Sequence, residues 1–208
     1  MNIHYRFTDK ELNVLMKENL MVIFDTRERE NKHILDYFDK MKIPYKRQKI
    51  DEGDYTAIIT KREEYGIHRD LYFPIAVERK NSIDEFAGNL AEKLGKGESG
   101  TDIRLIRELR QAKNKGIKLF LVLEDKDAME NIKSNNYRSL FKPIALMARL
   151  SSIQDLYFQD TIFTDKADAG FEIYRKLYYG VRNCLKELSG YIGPEEENKA
   201  VEEIARHK

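Results

Sequence analysis

Three charged residues, Glu78, Arg79 and Lys80, end the apolar run Ile75-Ala76-Val77 immediately before a helix signal. In an extended strand successive side chains face opposite sides, so Glu78 and Lys80 share one face and Arg79 takes the other. Upstream, Gly53-Asp54 opens a second extended run over 55–60, which a charged loop containing Gly66 joins to the run over 70–77. Pairing of the two runs as a hairpin brings Asp54 and Glu78 to one end of a sheet. Two carboxylates converging beside a lysine are a poor structural device, because the acids repel each other. Around a divalent cation they make chemical sense: hard oxygen ligands hold Mg²⁺ and leave positions for waters and a phosphate. The lysine then orients or activates a water and offsets charge on the transferring phosphoryl group. Such a constellation suits phosphodiester hydrolysis. Taken alone, the same residues also fit a solvated strand end beside an ordinary turn.

Positioning that pair requires a sheet with helices on its faces. Thr8 and Glu11 form a capping box and predict a helix over 8–19. The run LMVIFD reads as a buried strand ending at Asp25. Ile34, Leu35, Phe38 and Met41 then recur at helical spacing in a helix over 28–41, which Pro44 stops. A short strand leads on to DEGDY and the hairpin. Beyond the hairpin come helices in NSIDEFAGNLAEKL and RLIRELRQAKNK, then the clearest buried strand of the chain, GIKLFLVLED. A helix over 137–150, a strand near 154–158, an extended piece at 161–163 and a long helix over 165–188 complete the reading. The order αβαβββααβαβα predicts an α/β fold, a mixed central sheet flanked by helices in a single domain. A helical extension, 1–19, precedes the main unit, 20–188, and an acidic tail or short helix, 189–208, follows it.

A chain of 208 residues with 41% hydrophobic content can bury a real core despite 35% charge. No apolar stretch approaches the ~20 residues of a membrane helix. The N-terminus lacks the apolar centre of a signal peptide, so an intracellular protein of the cytoplasm or nucleoid is expected. One cysteine, Cys184, excludes an internal disulfide and a cysteine-based zinc site, and the histidines at 4, 33, 68 and 207 show no ligand spacing. With a net charge of +1, any polyanion contact must be local. The strongest local bias is the stretch 104–118, where Arg104, Arg107, Arg110, Lys113, Lys115 and Lys118 face a single acid, Glu108.

GDY followed across a hairpin-sized gap by VERKNSID matches the GDx(n)ERKxxxD signature of the XPF-type structure-specific endonucleases, within the PD-(D/E)xK nucleases. FDTRE at 24–28 resembles that family's first motif, an apolar strand ending in Asp-x-Arg-Glu. The basic helix, KLFLVLE and ALMARLSSIQ follow in the family's order, so the resemblance spans about residues 20–185. It implies a restriction-endonuclease-like fold and Asp54 and Glu78 as the principal metal ligands, with the Arg79 carbonyl as a third. Lys80 becomes the catalytic lysine, and Asp25 approaches the same metal centre. Arg27 holds the scissile phosphate or the acidic cluster, and the Arg79 side chain fixes local structure through an acid partner. The implied reaction is cutting of one DNA strand near duplex–single-strand junctions with Mg²⁺ or Mn²⁺, leaving 5′-phosphate and 3′-hydroxyl ends, in repair or recombination.

Several features keep two readings. Asp84 is the motif's last acid. Ser82 and Glu85, however, form a capping box that places Asp84 in a first helical turn, where negative charge favours the helix dipole. Glu28 either belongs to the first motif or only begins the following helix. Arg104, Arg107, Arg110 and Lys113 either contact DNA phosphates or form the solvated face of a helix that buries Ile103, Ile106 and Leu109. The stripe Phe171, Tyr174, Leu177, Tyr178 and Val181 reads as core, with a dimer surface as its second use. GKGESG at 95–100 satisfies G-x-G-x-x-G, but a helix precedes it where a dinucleotide site needs a strand, so a loop is expected.

Eukaryotic and many archaeal relatives in this family add a tandem helix-hairpin-helix module after the nuclease domain, and none is legible here. DNA binding is therefore expected to fall to the nuclease surface, to a homodimer or to a protein partner. The competing function is a non-catalytic DNA-binding or partner subunit, which such families contain. Retention of the acids and the lysine favours the enzyme. Cleavage of RNA or of unbranched DNA is a third reading.

Overall fold

The structure, a computed structural model, describes residues 6–91 and 103–189. Helix α1 (Asp9–Glu18) is followed by β1 (Leu20–Phe24), α2 (Lys32–Met41), β2 (Tyr45–Arg47) and β3 (Tyr55–Ile59). Then come β4 (Leu71–Tyr72), β5 (Ile75–Lys80), α3 (Ile83–Ala91), α4 (Arg104–Asn114) and β6 (Lys118–Leu123). Helices α5 (Ala128–Lys133) and α6 (Pro143–Tyr157), strand β7 (Phe158–Phe163) and α7 (Ala169–Ser189) complete the described chain. The strands form one seven-stranded mixed sheet in the order β2-β1-β3-β5-β6-β7, with β4 pairing on β3. β3 runs antiparallel to both its neighbours, β1 and β5, whereas β2 is parallel to β1 and β5, β6 and β7 run parallel to one another. Parallel neighbours need crossovers, which α3–α4 and α5–α6 supply.

Helices cover both faces, as expected for an α/β domain. One hydrophobic cluster joins α1, α2 and α7 to the sheet through residues such as Leu15, Ile34, Phe38, Tyr55, Val77, Val122 and Leu177. The other joins α3 to α6 through Phe86, Leu90, Leu109, Leu121, Leu146 and Leu150. Each fully buried Leu, Ile, Val or Phe contributes roughly 1.5–3 kcal/mol, so both layers are needed for a sheet with two apolar faces. The N-terminal helix belongs to this core: Leu12, Leu15 and Met16 are buried, and Thr8 and Glu11 make the expected reciprocal cap.

Some boundaries differ from the sequence reading, for identifiable reasons. The run over 70–77 is split at Phe73-Pro74, because Pro74 has no N–H for the ladder, and β5 continues to Lys80. The helix expected over 137–150 begins instead at Pro143, where a missing N–H is tolerated in the first turn. It also runs on through 154–157, where a strand was expected, because Leu146, Leu150 and Ile153 extend one buried stripe. The strand starts only at Phe158. Helix α5, short and with Ala128 and Ile132 as its buried residues, carried too little periodicity to be recognised. In α7, Leu177 and Val181 are core and Tyr174 and Tyr178 pack against it, while Phe171 stays half-exposed beside Tyr37. The glycine-rich 95–100 stretch and the acidic tail from 190 lie outside the described residues.

Candidate active site

Period-two alternation along β5 assigns its side chains. Ile75 and Val77 enter the cluster under α1, α2 and α7, whereas Ala76 enters the cluster under α3–α6. Continuing that alternation sends Glu78 and Lys80 to the α3–α6 side and Arg79 to the opposite side. Asp54 arrives at the same end from β3. Its N–H donates to the Val77 carbonyl at 2.8 Å, and its carboxylate accepts the Arg79 N–H at 2.7 Å. Gly53 makes this approach feasible: its φ is +78°, and a Cβ there would sit 2.9 Å from the Ala76 Cβ. A side chain at 53 would therefore push the Asp54 turn off the sheet.

Asp54, Glu78 and Lys80 line one cleft of about 380 Å³, together with Arg27, Glu52, Glu85 and, from α4, Arg104 and Arg107. The Lys80 ammonium donates to Glu78 Oε1 at 2.7 Å. Burial and the neighbouring Glu78 charge push the Asp54 carboxyl well above the usual carboxylate range, only partly offset by Lys80. Burial works against a charged Lys80, but Glu78 and Asp54 outweigh it and raise its pKa. At the tip of β5, three carboxylates, Asp54, Glu78 and Glu85, thus act on the single Lys80 ammonium.

The other face of the strand end is satisfied. Arg79 makes a bidentate pair with Glu124, at 2.7 and 2.9 Å, and reaches Glu28 at 3.2 Å. His33 Nε2 lies 2.7 Å from Glu124 Oε1, and the Tyr55 hydroxyl donates to Glu28 at 3.2 Å. Burial would raise the Glu124 pKa, but Arg79 and His33 outweigh it and hold it below the ordinary value. Glu28 precedes α2 and serves this network rather than starting the helix. Arg79 is therefore a structural clamp behind the cleft, and its side chain does not line it.

Asp25 is fully buried at the end of β1 and does not line the cleft. Its Oδ1 accepts the Arg27 N–H and Nε, at 2.8 and 2.7 Å, and its Oδ2 accepts the Ile50 N–H at 2.7 Å. Burial is outweighed by these donors, so its pKa falls. The Asp25 backbone N–H donates to the Asp54 carbonyl at 2.8 Å, which ties β1 to the site. In this arrangement Asp25 aims Arg27 at the cleft rather than presenting its own carboxylate.

The ERCC4 domain model matches residues 24–177, which takes in β2 through β7 and all of the cleft. The chain belongs to the ERCC4-domain family. It is an XPF-type nuclease domain of the PD-(D/E)xK superfamily, a family that acts in structure-specific DNA processing. No curated protein matches the chain.

Within this ERCC4 domain, the remaining expected site residues separate. Asp84 lies outside the cleft: its Oδ1 accepts the Arg138 N–H at 2.6 Å and so tethers the loop before α6 to α3. The capping box explains why. Ser82 Oγ accepts the Glu85 N–H at 3.2 Å, which fixes the first turn with Asp84 facing outward. On α4, Arg104 and Arg107 line the cleft, whereas Arg110 and Lys113 do not. Lys113 instead donates to the Leu156 carbonyl and lies over the Tyr157 ring. On α4, Leu109 is buried as expected and Ile103 and Ile106 are partly buried against the same cluster, while Leu105 and Ala112 complete the buried face. Glu124 was legible in hindsight: alternation from Phe120 and Val122 places it beneath Arg79. His33 carried no sequence signal.

Proposed function

We propose that this domain is a divalent-metal-dependent DNA endonuclease that hydrolyses phosphodiester bonds at branched, flap or fork junctions. The observation that carries this reading is the convergence of Asp54 and Glu78 on one cleft with Lys80 beside them. The donor set fits Mg²⁺ or Mn²⁺. Asp54 is pushed toward protonation by burial and by Glu78, and a cation there relieves both. Among the described residues no three His, Cys, Asp or Glu form a closed metal cage. Mg²⁺ does not need one, because it binds through one or two carboxylates plus waters and substrate phosphates. Asp54 and Glu78 would hold the ion, which when bound polarises the scissile phosphate and lowers the pKa of an attacking water.

The protein's own residues supply the rest. Lys80 remains an ammonium in this setting, so it orients a water and offsets phosphate charge by donating hydrogen bonds. Arg27, held by Asp25, and Arg104 and Arg107 on the opposing wall offer cations to the phosphates flanking the scissile bond.

The test is a panel of labelled duplex, single-strand, flap, fork and four-way-junction DNAs with Mg²⁺ or Mn²⁺. Wild-type protein is expected to nick branched substrates, and Asp54→Ala and Lys80→Ala are not. Cleavage that persists in EDTA or in both variants overturns the reading. Binding of branched DNA without cleavage under all metals supports the non-catalytic subunit instead.

A further inference from the structure

We propose that Glu85, not Asp84, is the third acid of the site and acts as the positioning residue for Lys80. The inference rests on the nuclease reading above and deepens it. Both residues sit in the first turn of α3, yet they point to different places. Asp84 is committed to the Arg138 N–H at 2.6 Å and does not line the cleft, whereas Glu85 does.

Glu85 does two things with two oxygens. Its Oε2 accepts the Asn81 N–H at 2.8 Å, and its Oε1 stands 3.9 Å from the Lys80 ammonium. A standard capping box has the third helical residue reach back to the backbone N–H of the cap residue itself. Here Ser82 takes its half of that exchange from Glu85, but Glu85 reaches one residue further back, to Asn81. That extra step carries the carboxylate past the helix end to the tip of β5. The cap alone does not require it.

The Lys80 side chain is only 10% exposed, so its ammonium depends on protein acceptors. Glu78 is the closer acceptor, at 2.7 Å. Glu78 is also a proposed metal ligand, and an oxygen committed to a cation is a weaker acceptor for Lys80. Glu85 has no such second duty toward a metal. It therefore remains as the anionic anchor that keeps Lys80 pointed at the scissile phosphate when Glu78 is engaged. Its geometry is set by the helix cap, so the anchor is rigid rather than a swinging surface carboxylate.

The experiment compares Glu85→Gln, Glu85→Asp and Asp84→Asn. Gln keeps an acceptor for the Asn81 N–H and removes only the charge, so the fold survives. On a flap substrate with Mg²⁺, Glu85→Gln is expected to lower kcat about 10- to 100-fold with KM within about twofold, as for loss of a group that orients catalysis. Asp84→Asn is expected to stay within about twofold on both constants. A second readout needs no metal: the Lys80 ammonium signal in ¹⁵N-detected lysine spectra. With Glu78 neutralised as Glu78→Gln, which releases its hold on the ammonium as a bound cation would, the signal should stay sharp and slowly exchanging, alone or combined with Asp84→Asn, and should broaden when Glu85→Gln is added. Glu85→Asp, whose shorter side chain keeps the charge but withdraws it, should fall between. Wild-type kcat in Glu85→Gln and an ammonium signal unchanged when it is added to Glu78→Gln overturn the proposal, as does an equal loss in Asp84→Asn. If the wild type cleaves nothing, the nuclease reading fails on its own, and the metal-free spectra still decide the role of Glu85.

Discussion

The two sides of the β5 tip differ by one residue in sequence and by opposite electrostatic logic. Behind the sheet, the Arg79 cation is shared by Glu124 and Glu28, with His33 and Tyr55 completing their acceptors. In front, Asp54, Glu78 and Glu85 face one ammonium. Buried charge that is paired and hydrogen-bonded is accommodated by the fold, whereas surplus buried charge of one sign is costly and is relieved by taking up a proton or a cation. The rear cluster anchors the Arg79 side chain behind the sheet, and the alternation of the same strand turns Glu78 and Lys80 to the front.

The largest difference between the faces should appear when each loses one charge. Asp54→Asn keeps an acceptor for the Arg79 N–H but removes the surplus charge. It is expected to lower nuclease kcat by at least about 100-fold, the scale of losing a key electrostatic group. It should nevertheless raise the melting temperature of the metal-free protein at neutral pH. Mg²⁺ should raise the melting temperature of the wild type through preferential binding to the folded state, and leave that of Asp54→Asn unmoved. Calorimetric scans with and without Mg²⁺ check both statements. A metal-induced rise in both proteins would place the ion elsewhere.

On the rear face the expected effect is on stability. Arg79→Met strands Glu124 without its cation, and breaking a buried pair in this way costs about 3–5 kcal/mol. The double variant Arg79→Met/Glu124→Leu should recover much of that loss, because two apolar side chains replace a desolvated pair. Urea unfolding of wild type, single and double variants measures this. A single variant within about 1 kcal/mol of wild type would mean that the cluster is solvated rather than buried.

pH separates the faces by sign. The folded pKa of Asp54 lies above its unfolded value, near 3.9, so its contribution to stability is present in acid and is lost as pH rises through the folded pKa. Glu124 is the reverse. Its folded pKa lies below the unfolded value, near 4.3, so its contribution is complete above that value and is lost as pH falls through the folded pKa. The stability gap between wild type and Glu124→Gln should therefore shrink below about pH 4. The gap between Asp54→Asn and wild type should instead widen from acid toward neutrality. Melting temperatures across pH 3–8 give both curves, and parallel curves for the two variants would remove the distinction.

Much of this contrast was legible in the sequence. Alternation from Ile75 to Lys80 separated Arg79 from Glu78 and Lys80, and Gly53-Asp54 placed the second acid at the same sheet end. Strand runs such as KLFLVL were unmistakable because both faces of their sheet are buried. What stayed hidden depended on contacts distant in sequence or on backbone direction. His33 and Glu124 lie far apart in sequence and meet only through the tertiary fold, and no local pattern reports that. Asp84 and Glu85 are adjacent acids in one helical turn, and only the rotation of α3 decides which of them sees the cleft. Asp25 matched its motif, yet the Ile50 and Arg27 N–H groups that claim its oxygens come from loop geometry. The α6 boundary was lost where Ile153, Leu156 and Phe158 supported a helix and a strand equally well.

The smallest expected effect concerns the α4 wall, and it extends the front-face logic to the substrate. If surplus acid draws a cation to the centre of the cleft, the basic residues on its rim should meet phosphates, and only those that line the cleft should matter. Arg104→Ala and Arg107→Ala are each expected to weaken branched-DNA binding a few-fold and to reduce the slope of log K against log salt by about 1. Arg110→Ala, outside the cleft, should leave the slope within experimental error of the wild type. The comparison is made in Ca²⁺, or with Lys80→Ala, so that binding is read without cleavage. Equal slopes for all three variants would mean that α4 acts as a diffuse basic surface. A reduced slope for Arg104 and Arg107 alone would mean that the nucleic-acid path is set by the same alternation that places Glu78 and Lys80 opposite them.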